Sequence, residues 1–218
     1  VRQVVDLLGK QGLSTTRKMV KRKVFQEIPT GYSAAGKIIE IGDGISDLSV
    51  GQRVACAGNQ YAFHAEIIRV PRNLVVPLPI GLAFEAASTV TLGAIALQGV
   101  RRLTPTLGET FTVIGLGILG QLTAQILRAN GCRVIGLDTD AGRSQLAVDS
   151  GMDCAIDTGD VNAVKAALRL TGGVGTDGVI VTAATPSDEV ISTAFQMCRR
   201  KGRVVLVGDV GLDLQRAD

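Results

Sequence analysis

The stretch Thr110-Phe-Thr-Val-Ile-Gly-Leu-Gly-Ile-Leu-Gly-Gln-Leu-Thr-Ala-Gln-Ile-Leu-Arg128 decides how the rest of this chain is read. An apolar run rich in β-branched residues leads into Gly115, Gly117 and Gly120, and an apolar pattern of helical period follows at once. A lone G-x-G-x-x-G is often accidental; a strand before it and a helix after it make it specific. In that setting the first glycine permits a tight turn, the second lets the backbone approach a pyrophosphate, and the third lets the helix pack closely on its strand. The backbone of Gly115, Leu116, Gly117, Ile118, Leu119 and Gly120 is therefore the candidate phosphate cradle, since the first N–H groups of a helix lack acceptors and carry the positive end of its dipole.

Working outward, residues 133–138 read as a second strand ending in Asp138, 23 positions after Gly115. That is the spacing of the acid that hydrogen-bonds the adenosine ribose, and a carboxylate there repels a 2′-phosphate. NAD(H) is accordingly the expected cofactor. A helix near 140–150, a strand at 154–156, a helix near 161–170, a strand at 178–181, a helix near 187–199 and a strand at 203–207 continue the alternation. This order predicts a doubly wound parallel sheet of the Rossmann type over residues 110–218, with a sixth strand expected past Asp218. Thr182 and Ala183, and Val207 and Gly208, fall at the carboxyl ends of the fourth and fifth strands, where open α/β sheets bind ligands.

Upstream the texture differs. Residues 1–28 read as two short basic helices: residues 1–25 hold seven Lys or Arg against Asp6 alone, while the whole chain is only +3. A solvated helix face is the plain account of that charge. From residue 29 to 83, short β-branched runs at 36–41, 51–55, 65–70 and 73–76, with a Gly42-Asp43-Gly44 turn, predict a small antiparallel β domain. Residues 84–109 read as a helical link. Four scattered cysteines without C-x-x-C spacing read as reduced thiols. Aromatics make up 3% of the chain with no Trp, too few for a base-stacking surface, and no apolar run reaches the ~18 residues of a membrane span. Val1 in place of Met, and a sheet one strand short, predict a piece of a longer protein.

Residues 30–210 resemble the medium-chain dehydrogenase/reductase family. Gly31-Tyr-Ser-Ala-Ala-Gly-Lys-Ile-Ile-Glu-Ile-Gly42 is similar to its first β-domain motif, Val50-Gly-Gln-Arg-Val54 to its V-G-D-R-V, and Ala65-Glu66 with Val70-Pro71 to its A-E…V-P segment. The basic segment and Lys201-Gly-Arg-Val-Val-Leu-Val-Gly208 are most similar to a bacterial bi-domain oxidoreductase group, which implies a second dehydrogenase-like domain as partner in the full chain. The resemblance implies a partial GroES-like β domain and hydride transfer between NAD(H) and a polar, possibly sugar-derived, alcohol or carbonyl. It also implies that Arg143 meets the adenosine ribose, against a solvated Arg at a helix start as the alternative.

Zinc-dependent members read Gly-His-Glu where this chain has Gly31-Tyr-Ser, and their later Cys ligand would fall near 91–93, where no Cys stands. A catalytic zinc needs about three protein ligands, so no metal is expected. In its absence Tyr32, which replaces a ligand, and His64, the single histidine, are the candidate groups for polarising a carbonyl or relaying a proton. For each, simple packing in the β domain is the competing account. The remaining expectations are a small-molecule substrate, a homo-oligomer, no nucleic-acid or membrane partner, and the cytoplasm. A non-catalytic NAD(H)-binding module is the alternative function.

Overall fold

The computed structural model describes residues 29–158 and 162–212. The basic segment expected at 1–28 lies outside the described residues. Among the described residues there are two sheets, three strands in the order β1-β2-β3 and five in the order β6-β5-β4-β7-β8.

The small sheet is antiparallel, built from β1 (Ser33–Lys37), β2 (Arg53–Ala57) and β3 (Val75–Pro77). Val54, Cys56 and Ala62 form its buried centre, with Ala34, Ile68 and Val75 packed around them. Two expectations are corrected here. Residues 65–70 form no strand: that segment runs as bends, and Ile67 is exposed while Ile68 packs on the core. Alternating burial can be produced by a loop held on a core as well as by a pleat. The first strand also lies earlier than the run at 36–41; Ile38 still exchanges backbone hydrogen bonds with Gly51 and Gln52, and residues 39–41 then lead to the turn at Asp43-Gly44, where Gly44 has φ +80.

Two helices, α1 (Phe84–Ala87) and α2 (Val90–Leu103), link the sheets. On α2 the buried residues Ala96, Gly99, Val100 and Leu103 follow i, i+3, i+4, i+7 and form one stripe against the large sheet. Arg53 clamps the link to the small sheet, with its guanidinium 4.4 Å above the Phe84 ring and a hydrogen bond to the Leu82 carbonyl.

The large sheet is parallel: β4 (Thr110–Ile114), β5 (Arg133–Asp138), β6 (Cys154–Asp157), β7 (Thr176–Val181) and β8 (Cys198–Leu206). It alternates with α3 (Ile118–Ala129), α4 (Ala141–Asp149), α5 (Ala163–Leu170) and α6 (Glu189–Met197). This is a Rossmann-type doubly wound sheet. Phe111, Thr112 and Val113 on central β4 are all fully buried, as a strand covered by helices on both faces must be. The last helix ends two residues before the expected 199, and β8 begins at Cys198 with a register shift against β7 around Lys201, which has φ +62.

The third glycine of the turn makes one of the two closest approaches in the large sheet. A Cβ on Gly120 would lie 1.9 Å from the Gly115 carbonyl oxygen and 2.9 Å from its carbon. Both are backbone atoms that cannot rotate away. Gly120→Ala should therefore lower unfolding stability by about 3 kcal/mol, at the upper end for forced overpacking, measured by urea denaturation. A change under about 0.5 kcal/mol would mean that α3 can lift off β4 freely.

Candidate functional site

Strand order reverses between β4 and β7, and at this switch point three loops meet at the carboxyl edge of the sheet. Gly115 leaves β4 with φ +90, and a Cβ there would fall 2.7 Å from the Ala183 nitrogen. The Thr182 hydroxyl donates to the Gly115 carbonyl at 2.6 Å, while the Thr182 and Ala183 N–H groups donate to the Ile114 carbonyl. The Val207 and Gly208 N–H groups both donate to the Val181 carbonyl. Gly208 is pressed so closely on the second loop that a Cβ would sit 1.9 Å from the Ala183 oxygen. The Thr182 side chain is thus committed to the turn, and the second and third loops offer backbone to a ligand.

Gly117 is different. It caps α3 in an extended conformation that any residue can adopt, and a Cβ there would meet nothing within 4 Å. Helix geometry leaves the N–H groups of Ile118, Leu119 and Gly120 without acceptors inside α3. Glycine at 117 is therefore not required by the packing of the chain. It keeps open a space faced by the positive end of a helix, and this is the shape that a pyrophosphate needs.

One strand over, Asp138 ends β5 at 8% exposure. Its Oδ2 accepts the Leu116 N–H at 2.6 Å and its Oδ1 accepts the Asp140 N–H at 2.9 Å. A carboxylate has about four acceptor positions, so roughly two remain. Arg143 is exposed, with Nη1 3.9 Å from Asp138 Oδ2 and Nε 3.8 Å from Asp140 Oδ2. The fold therefore gathers the glycine turn, Asp138 and Arg143 at one edge, beside the loops of Thr182, Ala183, Val207 and Gly208.

Tyr32 and His64 both lie beside the small sheet, outside its strands. The Tyr32 carbonyl accepts the Gly58 N–H, and the His64 N–H donates to the Thr30 carbonyl. The His64 ring lies on Gly31, where a Cβ would be 2.3 Å from it. Among the described residues, neither side chain makes a hydrogen bond to the cofactor-side loops. Their neighbour Ser33 does reach across: its hydroxyl donates to the Ser88 carbonyl at 2.5 Å and accepts the Thr91 N–H at 3.3 Å. The Thr91 hydroxyl is buried without a partner. Below it a groove of about 400 Å³ runs between α2 and β8, lined by Thr91, Ile95, Gln98, Gly99, Val205 and Val207. The sequence reading did not single out Ser33 as a contact or Gln98 as a lining residue, because both depend on how the link helix lies across the sheet.

Among the described residues no three His, Cys, Asp or Glu side chains gather where they could hold a metal. Burial pushes the thiols of Cys56, Cys132 and Cys198 above their ordinary range, which keeps them protonated near neutral pH and poor as ligands or nucleophiles.

Comparison with known proteins agrees with this architecture. Residues 119–215 match the family model described as zinc-binding dehydrogenase. An alcohol dehydrogenase of Geobacillus stearothermophilus is 27% identical over 206 residues, 82% of this chain and 60% of that protein. A sorbitol dehydrogenase of Halalkalibacterium halodurans is 26% identical, over 83% of this chain and 61% of that protein. Over its nucleotide-binding half the chain is thus similar to the zinc-binding dehydrogenases, and over most of its length to alcohol and sorbitol dehydrogenases. Escherichia coli quinone oxidoreductase, solved with NADPH, shares the fold at a TM-score of 0.71 and 22% identity, covering 86% of this chain and 58% of that one. The chain spans about 60% of the length of the curated relatives it matches.

The open space at Gly117 sets a sharp expectation. Gly117→Val should leave the far-ultraviolet circular dichroism spectrum and the unfolding midpoint nearly unchanged while abolishing dinucleotide binding, followed by NADH fluorescence. Retained full-strength binding would remove the glycine turn from the cofactor site.

Proposed function

We propose that this chain contributes the cofactor half, and part of the substrate half, of an NAD(H)-dependent oxidoreductase that moves hydride between nicotinamide and a polar, sugar-derived alcohol or carbonyl. The observation that carries it is the unfilled space before Gly117, one strand from the buried Asp138. The names of the relatives support alcohol and polyol substrates. The dinucleotide supplies the hydride chemistry; the protein binds, orients and excludes water. Val207, which lines the α2–β8 groove, and the Ala183 loop are the proposed floor under the reactive ring.

Preference for NAD(H) over NADP(H) rests on Asp138. A buried carboxylate at the end of β5 accepts from ribose hydroxyls and opposes a 2′-phosphate as a like charge. The NADPH bound by the quinone oxidoreductase marks the competing possibility, which Arg143 would serve. Asp138→Ala should weaken NAD binding by roughly tenfold to a hundredfold, the worth of a charge-assisted hydrogen bond, and narrow the gap to NADP. Calorimetric titration showing an unchanged preference would remove Asp138 from the ribose site.

The proposed reaction uses no zinc. Where zinc-dependent members carry ligands, this chain has Tyr32, Ser33 and Thr91, and the Ser33 hydroxyl is already spent on Ser88 and Thr91. Phenol and hydroxyl are poor zinc donors beside imidazole or thiolate. Tyr32 and His64 are the proposed hydrogen-bonding and proton-relay groups. Polyol oxidation followed through NADH absorbance should survive exhaustive chelation in the full-length protein. One tightly bound zinc per chain, lost together with turnover, would refute the zinc-free reading. Cofactor binding with no hydride transfer to any alcohol or aldehyde would instead favour a non-catalytic NAD(H)-binding module.

A further inference from the structure

Leu116, the residue between the first two glycines of the turn, has both of its backbone polar groups held by side chains. Its N–H donates to Asp138 Oδ2 at 2.6 Å, and its carbonyl accepts Gln121 Nε2 at 3.1 Å. The same Gln121 amide reaches the Arg143 carbonyl at 3.0 Å, and Asp138 Oδ1 holds the Asp140 N–H at 2.9 Å. Asp140 in turn caps α4, its side chain accepting the Arg143 N–H at 3.1 Å. Two side chains on different elements thus tie the glycine turn, at both its N–H and its carbonyl, to the loop-like junction of β5 and α4 over residues 138–143. The loop carries the groups proposed to meet the adenosine ribose, and the turn carries the amides proposed to meet the phosphates.

From this geometry we infer that Gln121 is a positioning residue for the dinucleotide: it couples the phosphate-facing turn to the ribose-facing loop, so that the two halves of the adenosine diphosphate site are held in register before the cofactor arrives. The inference rests on the dinucleotide reading above. Its physical basis is preorganisation. A backbone segment fixed at both its donor and its acceptor loses less freedom on binding than one held at a single point. A primary amide suits this place because its two N–H donors can serve two carbonyls at once. Methionine or glutamate of similar length can serve neither. Gln121 itself needs no contact with ligand: its Nε2 is spent on the Leu116 and Arg143 carbonyls.

The coupling predicts which ligands respond. ADP spans the turn and the loop, whereas reduced nicotinamide mononucleotide occupies only the other half of the site. In the full-length protein, Gln121→Met and Gln121→Glu should each weaken ADP and NADH binding about tenfold, the consequence of losing roughly one net hydrogen bond. Binding of the reduced mononucleotide should stay unchanged, as should kcat at saturating NADH, so that the loss appears in KM for the cofactor. Titration by calorimetry and fluorescence reads the first two, and steady-state kinetics the third. Wild-type ADP affinity in both variants would overturn the inference and leave the dinucleotide reading standing. Equal losses for ADP and the mononucleotide would also overturn it, since they would show general loosening of the fold. A wild-type protein that binds neither ADP nor NADH would refute the dinucleotide reading, and this inference with it.

Discussion

The contact of Gly120 with the Gly115 carbonyl is the constraint on which the nucleotide half depends. Helix α3 can sit low on β4 only because no side chain stands between them at that point. With α3 low, Thr123, Ala124 and Leu127 enter the same buried layer as Val113 and Val134, and the turn is compressed into the left-handed conformation that Gly115 alone can take cheaply. The turn then lies within reach of Thr182, whose hydroxyl closes on the Gly115 carbonyl. One absent methyl group sets the depth of a helix, the shape of a turn and the position of the neighbouring loop.

The two edges of the large sheet divide their polar groups differently. At the amino edge, charges are spent on each other: Glu109 is paired with Arg203, Asp177 with Arg199, and the Arg203 guanidinium also holds the Thr104 carbonyl. Burial works to raise the Asp177 carboxyl, but the Thr110 N–H and the Arg199 guanidinium outweigh it and hold the group below its usual range. At the carboxyl edge, Asp138, Asp140, Arg143, Asp157 and Asp209 stand at or near the strand ends, and what the glycine turn presents is backbone. That turn suits a ligand group that brings its own negative charge, because amide dipoles fixed in place need no counter-ion to be displaced.

The small sheet is joined to the link helices through Ser33, whose hydroxyl donates to the Ser88 carbonyl and accepts the Thr91 N–H. Stability at this junction comes from the Ser33 contacts and from Arg53 stacked on Phe84.

Local pattern was enough for the nucleotide half. Residues 110–128 combine a buried β-branched run, glycines at a defined spacing and a helical apolar period, and each of these is a property of neighbouring residues, so strand, turn and helix were legible without any long-range information. The place of Asp138 at the end of β5 was legible for the same reason, since its spacing follows from the length of one helix and one strand. The segment at 65–70 misled because its alternating burial arises from a loop lying on Val54 and Cys56, and no residue within it records that support. Tertiary structure alone decided that the Asp138 carboxylate is shared with the Leu116 N–H, that Gln121 reaches the Arg143 carbonyl 22 residues away, and that Ser33 meets Thr91 across 58 positions. Hydrogen bonds of this kind have no sequence period. They depend on distances between elements, which are set only when the helices and sheets have packed.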